Sequence, residues 1–362
     1  MVECWTVLST QPRLRNMKAE TLLPLGKLDP GLRSPDDSLN LNEVAIDAAT
    51  TESLGYQTLL MEETKDDPFQ VLTMAALATR RVNIGTSVAI AFARSPFVIA
   101  QAAWTLQKIS NGRFELGLGS QVRGHIMRRY GLDWHAAGPW MRDYVNTVRA
   151  IWHSWQTQSK LEFESDHYQL NLSVPLFTPE PIDQPNIPVH VAAVNPYMCR
   201  VATEVADGLR LHPVCSPRYI QEVVNPAVAA RRTGFEICLK PLIATARDEE
   251  TLLQRREIAR QRLAFYCSTP AYARAFHLYG LEDLCVELAA ASKRQAWDRM
   301  ALMIDDEVLD EFVVVARYDE LAKTIEQRYA GLIDRIEVSI PIVDEADKES
   351  LDQIVKDINA IR

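Results

Sequence analysis

No apolar run in this 362-residue chain reaches the roughly 18 residues needed to cross a bilayer. Nor does it open with a basic stretch, an apolar core and a cleavage site, so neither a membrane span nor secretion is expected. Basic residues are in deficit: 39 Lys and Arg face 48 Asp and Glu, a formal net charge of -9. An acidic surface argues against nucleic acid and membrane lipid as partners, since both favour a basic face. Metal and nucleotide signatures are missing too. There is no H-E-x-x-H, no Cys/His cluster at zinc spacing, no P-loop and no G-x-S-x-G elbow. The six cysteines (Cys4, Cys199, Cys215, Cys238, Cys267, Cys285) form no C-x-x-C pair. They read as buried small hydrophobes of a reducing compartment, which makes the expected location cytoplasmic.

What the chain has is a strand, a helix and a second strand in unbroken order between Val82 and Ser120. Val82 to Ile90 is apolar and β-branched. Pro96 opens a segment whose Val98, Ile99, Ala102, Ala103, Leu106 and Ile109 recur at helical spacing, and Asn111-Gly112 ends it. Arg113 to Leu118 is a second apolar run. Strands apolar at nearly every position are buried on both faces, as in a parallel sheet covered by helices.

The pattern repeats along the chain. Met17 to Leu25, Gly55 to Met61, Val189 to Val194, Gly208 to Leu211, Ile237 to Thr245 and Ile333 to Ile340 read as further strands. Helical segments follow near Leu41 to Leu54, Pro68 to Arg80, Tyr197 to Ala206, Arg218 to Arg232, Glu249 to Phe265 and Lys348 to Ile361. Eight strand-helix pairs imply a closed (β/α)8 barrel. The competing open sheet lacks its phosphate fingerprint, because Val122 sits where the third glycine after Gly117 and Gly119 belongs. One domain is expected over residues 17–362, preceded by an extension over residues 1–16. Two excursions, 159–188 and 269–316, interrupt the repeat. The first holds a polar hairpin pattern (KLEFESDHYQLN) and reads as an excursion over the barrel mouth. The second carries helical segments near Tyr272 to Leu278, Asp283 to Ala296 and Asp305 to Val315. Loops on that side of a barrel shape the substrate pocket.

The stretch IGTSVAIAFARSPFVIAQAAWTLQKISNGRFELGLGSQ, then AIWHSWQT, VHVAAVNP and ADGLRLHP, resembles the bacterial luciferase-like superfamily of flavin and deazaflavin enzymes. Within it the chain is similar to the branch that uses coenzyme F420. The resemblance implies a non-prolyl cis peptide at Ser87-Val88 that backs the cofactor ring. It also implies a phosphate-binding turn at Ala193-Val194-Asn195-Pro196, where a helix N-terminus offers unpaired amides. Val194 and Asn195 stand where relatives carry glycine. Relatives that oxidise alcohols have a His and a Glu where Thr64 and Val122 stand here, so a sugar-phosphate alcohol dehydrogenase is not expected.

Among ionisable groups near strand ends, His212 and Glu63 are the catalytic candidates, because strand C-termini face the barrel mouth. Glu63 equally suits a salt bridge with a mouth cation. Arg94, Ser120 and His125 join Ser87, Val88, Val194 and Asn195 as cofactor-side candidates; Arg94 is also read as a local cap, and His125 as part of a solvated basic face. His190 reads as a satisfied core residue, and Trp134, Trp140, Tyr144, Trp152 and Trp155 as packing. The expected function is hydride transfer or monooxygenation of a small organic substrate with coenzyme F420 or FMN. Two alternatives stay open: an FMN-dependent monooxygenase served by a flavin reductase, and a repurposed cofactor-free scaffold, either a binding protein or a cyclase. A homodimer is also left open.

Overall fold

The computed structural model describes residues 16–27 and 39–362. Nearly all of the expected extension over residues 1–16, with Cys4, therefore lies outside the described residues. Eight parallel strands close on themselves: β1 (Lys18–Leu22), β2 (Thr58–Met61), β3 (Asn83–Thr86), β4 (Phe114–Gly119), β5 (Val189–Ala193), β6 (Gly208–Leu211), β7 (Glu236–Leu239) and β8 (Arg335–Glu337). Each pairs with the next, and β8 returns to β1 through Lys18 opposite Arg335. Helices α1 (Val44–Ser53), α2 (Pro68–Ala78), α3 (Pro96–Ser110), α4 (Ala137–Thr157), α5 (Pro196–Val205), α6 (Glu249–Cys267), α7 (Glu282–Lys293), α8 (Tyr318–Tyr329) and α9 (Glu345–Ala360) follow in chain order. This is the (β/α)8 barrel that the repeat implied.

Three of the labelled helices start with one device. Asp67-Pro68, Ser95-Pro96 and Asn195-Pro196 each place a capping side chain before a proline that needs no amide partner. At the far end of α3, Asn111 takes the left-handed conformation (φ 54°) that stops a helix.

Alternate residues of the strands point inward, and here many are charged. Arg335 of β8 reaches Glu20 of β1 at 3.0 Å, Thr58 of β2 at 3.1 Å and Glu115 of β4 at 2.7 Å, and it also bonds Glu236 of β7. Arg210 of β6 holds Glu20 at 2.9 Å. Burial pushes the Glu20 carboxyl up, but Arg210 and then Arg335 outweigh it and hold the group below its ordinary range. Such pairs offset their own desolvation only while every member is present.

Several expected boundaries move. The run Ile237 to Thr245 is not one strand, because Pro241 has no amide to donate. Leu242–Ala246 leaves the barrel and pairs in parallel with Val313–Arg317. That partner also corrects the helix expected over Asp305 to Val315: it ends at Phe312, and the β-branched run beyond it is extended. The helix expected over Arg218 to Arg232 runs instead from Pro217 to Ala227 and contains a π-helical turn at Ile220–Val224 ahead of Pro226. The first strand stops at Leu22, before a cis Leu23-Pro24 bond.

Candidate active site at the barrel mouth

Where β3 ends, the chain breaks from the ladder. Ser87-Val88 is a non-prolyl cis peptide, and pairing resumes at Ala89 and Ile90 against Leu118 and Gly119 of β4. The Thr86 hydroxyl bridges the break, donating to Gly117 O at 2.6 Å and accepting from Gly117 N at 2.8 Å. The glycines of Gly117-Leu118-Gly119 are what let the strands approach. A Cβ on Gly117 would run into the Thr86 carbonyl oxygen, and one on Gly119 would lie 2.6 Å from Val88 Cγ2. Ser87, Val88 and Ser120 are half-buried around this seam.

Beside it lies an ionic cluster. Glu63 accepts from Ile90 N at 2.7 Å and takes both carboxylate contacts of Arg94 Nη1 at 2.7 and 2.6 Å. Arg94 Nη2 continues to Asp67 at 2.8 Å, and the Arg94 carbonyl accepts from Tyr144. Arg94 is thus tied to Glu63 and Asp67, and Glu63 holds the segment after the cis bond in place. On the opposite side Glu62 joins Lys27 (3.0 Å) and Lys240 (2.9 Å), with Glu337 3.5 Å from Lys240. Burial raises the Glu62 carboxyl, but Lys240 and Lys27 together bring it down to about 2.

His212 follows β6 and is clasped by two rings. Tyr272 stacks on it at 3.8 Å, and Tyr266 meets it edge-on at 4.7 Å. Burial, then the charges of Arg262 and Lys240, push the imidazole down to about 3. It is therefore neutral at neutral pH. Nδ1 accepts from Val214 N at 3.4 Å, leaving the ring proton on Nε2. A group in that state donates a hydrogen bond well and is a weak base.

The remaining candidates lie around the rim. Asn195 is exposed, and its Oδ1 caps α5 by accepting from Met198 N at 2.9 Å; the half-buried Val194 gives its carbonyl to Tyr219. His125 is exposed on the short helix Arg123–Arg128. His190, expected to be satisfied, is buried inside the barrel, and neither ring nitrogen is hydrogen-bonded among the described residues; Glu236 is 3.7 Å away. Trp140, Tyr144, Trp152 and Trp155 are buried, as packing requires, with Trp140 stacked on Phe92 at 3.7 Å.

Sequence reasoning passed over three features. One is the ring clasp on His212. Another is His167, at the tip of the hairpin Phe163–Glu164/Gln169–Leu170, whose Nδ1 lies 2.6 Å from Asp143 of α4. The third is the charged barrel interior. A signal for that one existed: Lys18 and Glu20, and Arg335 and Glu337, are charged at every second position of otherwise apolar strands.

The sequence model described as luciferase-like monooxygenase matches residues 25–335. An uncharacterised protein of Mycobacterium tuberculosis is 39% identical over 321 residues, covering 86% of this chain and 94% of its own length. A putative coenzyme F420-dependent oxidoreductase of the same organism is 28% identical over 298 residues, covering 76% and 84%. Among solved structures, the coenzyme F420-dependent tetrahydromethanopterin reductase of Methanopyrus kandleri matches with a TM-score of 0.73 at 17% identity, covering 95% of this chain and 98% of that one. The FMN-bound oxygenating constituent of 3,6-diketocamphane monooxygenase of Pseudomonas putida matches with a TM-score of 0.62 at 15% identity, covering 95% and 98%. These two structures share the barrel fold.

Proposed function

Because this chain belongs to the luciferase-like monooxygenase family, we propose that it is a coenzyme F420-dependent oxidoreductase acting on a small organic substrate at the barrel mouth. The observation that carries this reading is the seam where the half-buried Val88 lies against Gly119 without an intervening side chain, the position at which an aromatic ring would be backed. The similarity to a putative F420-dependent oxidoreductase favours a deazaflavin there. When bound, that cofactor supplies or accepts a hydride.

The chain's own residues supply the rest. Ser87, Val88 and Ser120 face one side of the ring. Glu63, fixed by Arg94 and by Ile90 N, keeps the segment after the cis bond from shifting. Main-chain amides at the Val194-Asn195 turn, and the cationic side chains near His125, take the anionic end, since the Asn195 side chain is already engaged as a cap. His212, neutral and with its proton on Nε2, would hold a substrate oxygen by a hydrogen bond donated from Nε2–H.

Fluorescence titration with coenzyme F420 and with FMN tests the reading. Coenzyme F420 should bind with a micromolar dissociation constant, about 8 kcal/mol. Binding of FMN alone would replace the proposal with an FMN-dependent monooxygenase needing a reductase. Failure of both would point to a repurposed scaffold.

A further inference from the structure

Cys267 closes α6 and Cys285 sits near the start of α7. Their Sγ atoms are 3.3 Å apart, with Cys267 1% and Cys285 7% exposed. They are eighteen positions apart in sequence. The segment between them supplies contacts to the chain beyond β6: Tyr272 stacks on His212, and the Tyr279 hydroxyl pairs with Ser216 Oγ at 2.6 Å. Tyr266, immediately before Cys267, is edge-on to the same imidazole. The two thiols therefore stand at the base of a loop that covers His212.

We propose that Cys267 and Cys285 form an oxidisable dithiol, converted to a disulfide by hydrogen peroxide, and that this bond fastens residues 268–284 over the end of β6. Bond formation requires the sulfurs to close to about 2.05 Å, a small adjustment for two side chains already in contact. Cys285 is the attacking thiol. Accepting the S–H of Cys267 holds the Cys285 thiol below its ordinary range, while that same contact and then burial push Cys267 up. The Cys285 thiolate attacks one peroxide oxygen, the O–O bond breaks, and a sulfenic acid forms as the departing hydroxide takes a proton to become water. Cys267 Sγ then attacks the sulfenic sulfur. The S–S bond forms, the S–O bond breaks, and the departing hydroxide leaves as water with the Cys267 proton. Two thiols lose two electrons, and one peroxide is reduced to two waters.

The experiment uses the full chain, reduced, desalted and treated with hydrogen peroxide. Peptide mapping without reductant should find Cys267 joined to Cys285, while the buried free thiols Cys199, Cys215 and Cys238 remain unlinked. Amide hydrogen exchange across residues 268–284 should slow about tenfold, and dithiothreitol should reverse it. Cys285→Ser should abolish both effects; should that variant fold poorly, mapping and exchange of the unmutated chain decide alone. Oxidation to sulfinic acid without linkage, a linkage between other cysteines, or a Cys267–Cys285 linkage that leaves exchange unchanged would each overturn the proposal. Neither cofactor nor substrate enters the test, so its result is separate from that of the cofactor titration.

Discussion

The β3–β4 wall of the mouth is shaped by missing side chains, whereas the β6 wall is shaped by side chains delivered from far along the chain. At the first, Gly117 and Gly119 remove atoms so that Thr86 and Val88 can lie against β4. At the second, His212 is clasped by Tyr266 and Tyr272 and kept neutral by its burial and by the charges of Arg262 and Lys240. A wall made by the main chain resists change because a carbonyl cannot move without breaking the ladder. One made by rings tolerates substitution but loses its chemistry. The two walls should thus fail in different ways, one in stability and the other in turnover.

The largest effect is expected at Gly117→Ala. Its Cβ meets a main-chain oxygen, so the cost should be about 3 kcal/mol, read as a lowered urea midpoint. An unchanged midpoint would mean that β3 can slide past β4 and that the contrast between the walls is false.

Next comes His212→Phe, which preserves the aromatic clasp and removes the donor. Turnover of the enzyme's substrate should fall about 10²-fold while coenzyme F420 affinity holds. A loss of affinity without a loss of kcat would make His212 a cofactor contact. The same variant tests the protonation state. A native imidazole depressed from 6.5 to about 3 binds fewer protons than the unfolded one between those values. Wild-type stability should therefore fall as pH drops from 6.5 toward 3. In that range His212→Phe should lose less; parallel curves would show that the ring is not buried as described. Below pH 4.5 both proteins should weaken further as Glu62, depressed to about 2, begins to bind protons in the unfolded chain.

Glu63→Gln should cost about 1–2 kcal/mol, because Gln still accepts from Ile90 N but no longer balances Arg94. Its effect on coenzyme F420 affinity should exceed that of His212→Phe if Glu63 stabilises the ring seat. The smallest change is Asn195→Ala, which removes a helix cap worth about 1 kcal/mol and should leave turnover intact.

Legibility in the sequence follows the same division between the walls. Thr86, Gly117 and Gly119 lie in short motifs where each residue does a local job, and the cap-proline pairs before α2, α3 and α5 announce helix starts directly. Pro241 could likewise have been read as the end of β7. The pairing of Leu242–Ala246 with Val313–Arg317 could not, since the two runs are separated by α6, α7 and several shorter helices.

Periodicity and punctuation in the sequence determined the barrel and the order of its strands. Which charges meet inside it was decided by the tertiary structure. Arg335 and Glu20 are 315 positions apart and Arg335 and Glu115 are 220 apart, yet closure of the sheet brings all three within hydrogen-bond reach. Alternation along a strand encodes the face on which a side chain emerges. The partner it finds there depends on how a closed sheet brings distant strands across from one another, and no local spacing carries that information. The same holds for His212: its place at a strand end was written locally, while its neutral state came from two tyrosines, an arginine and a lysine gathered by the fold.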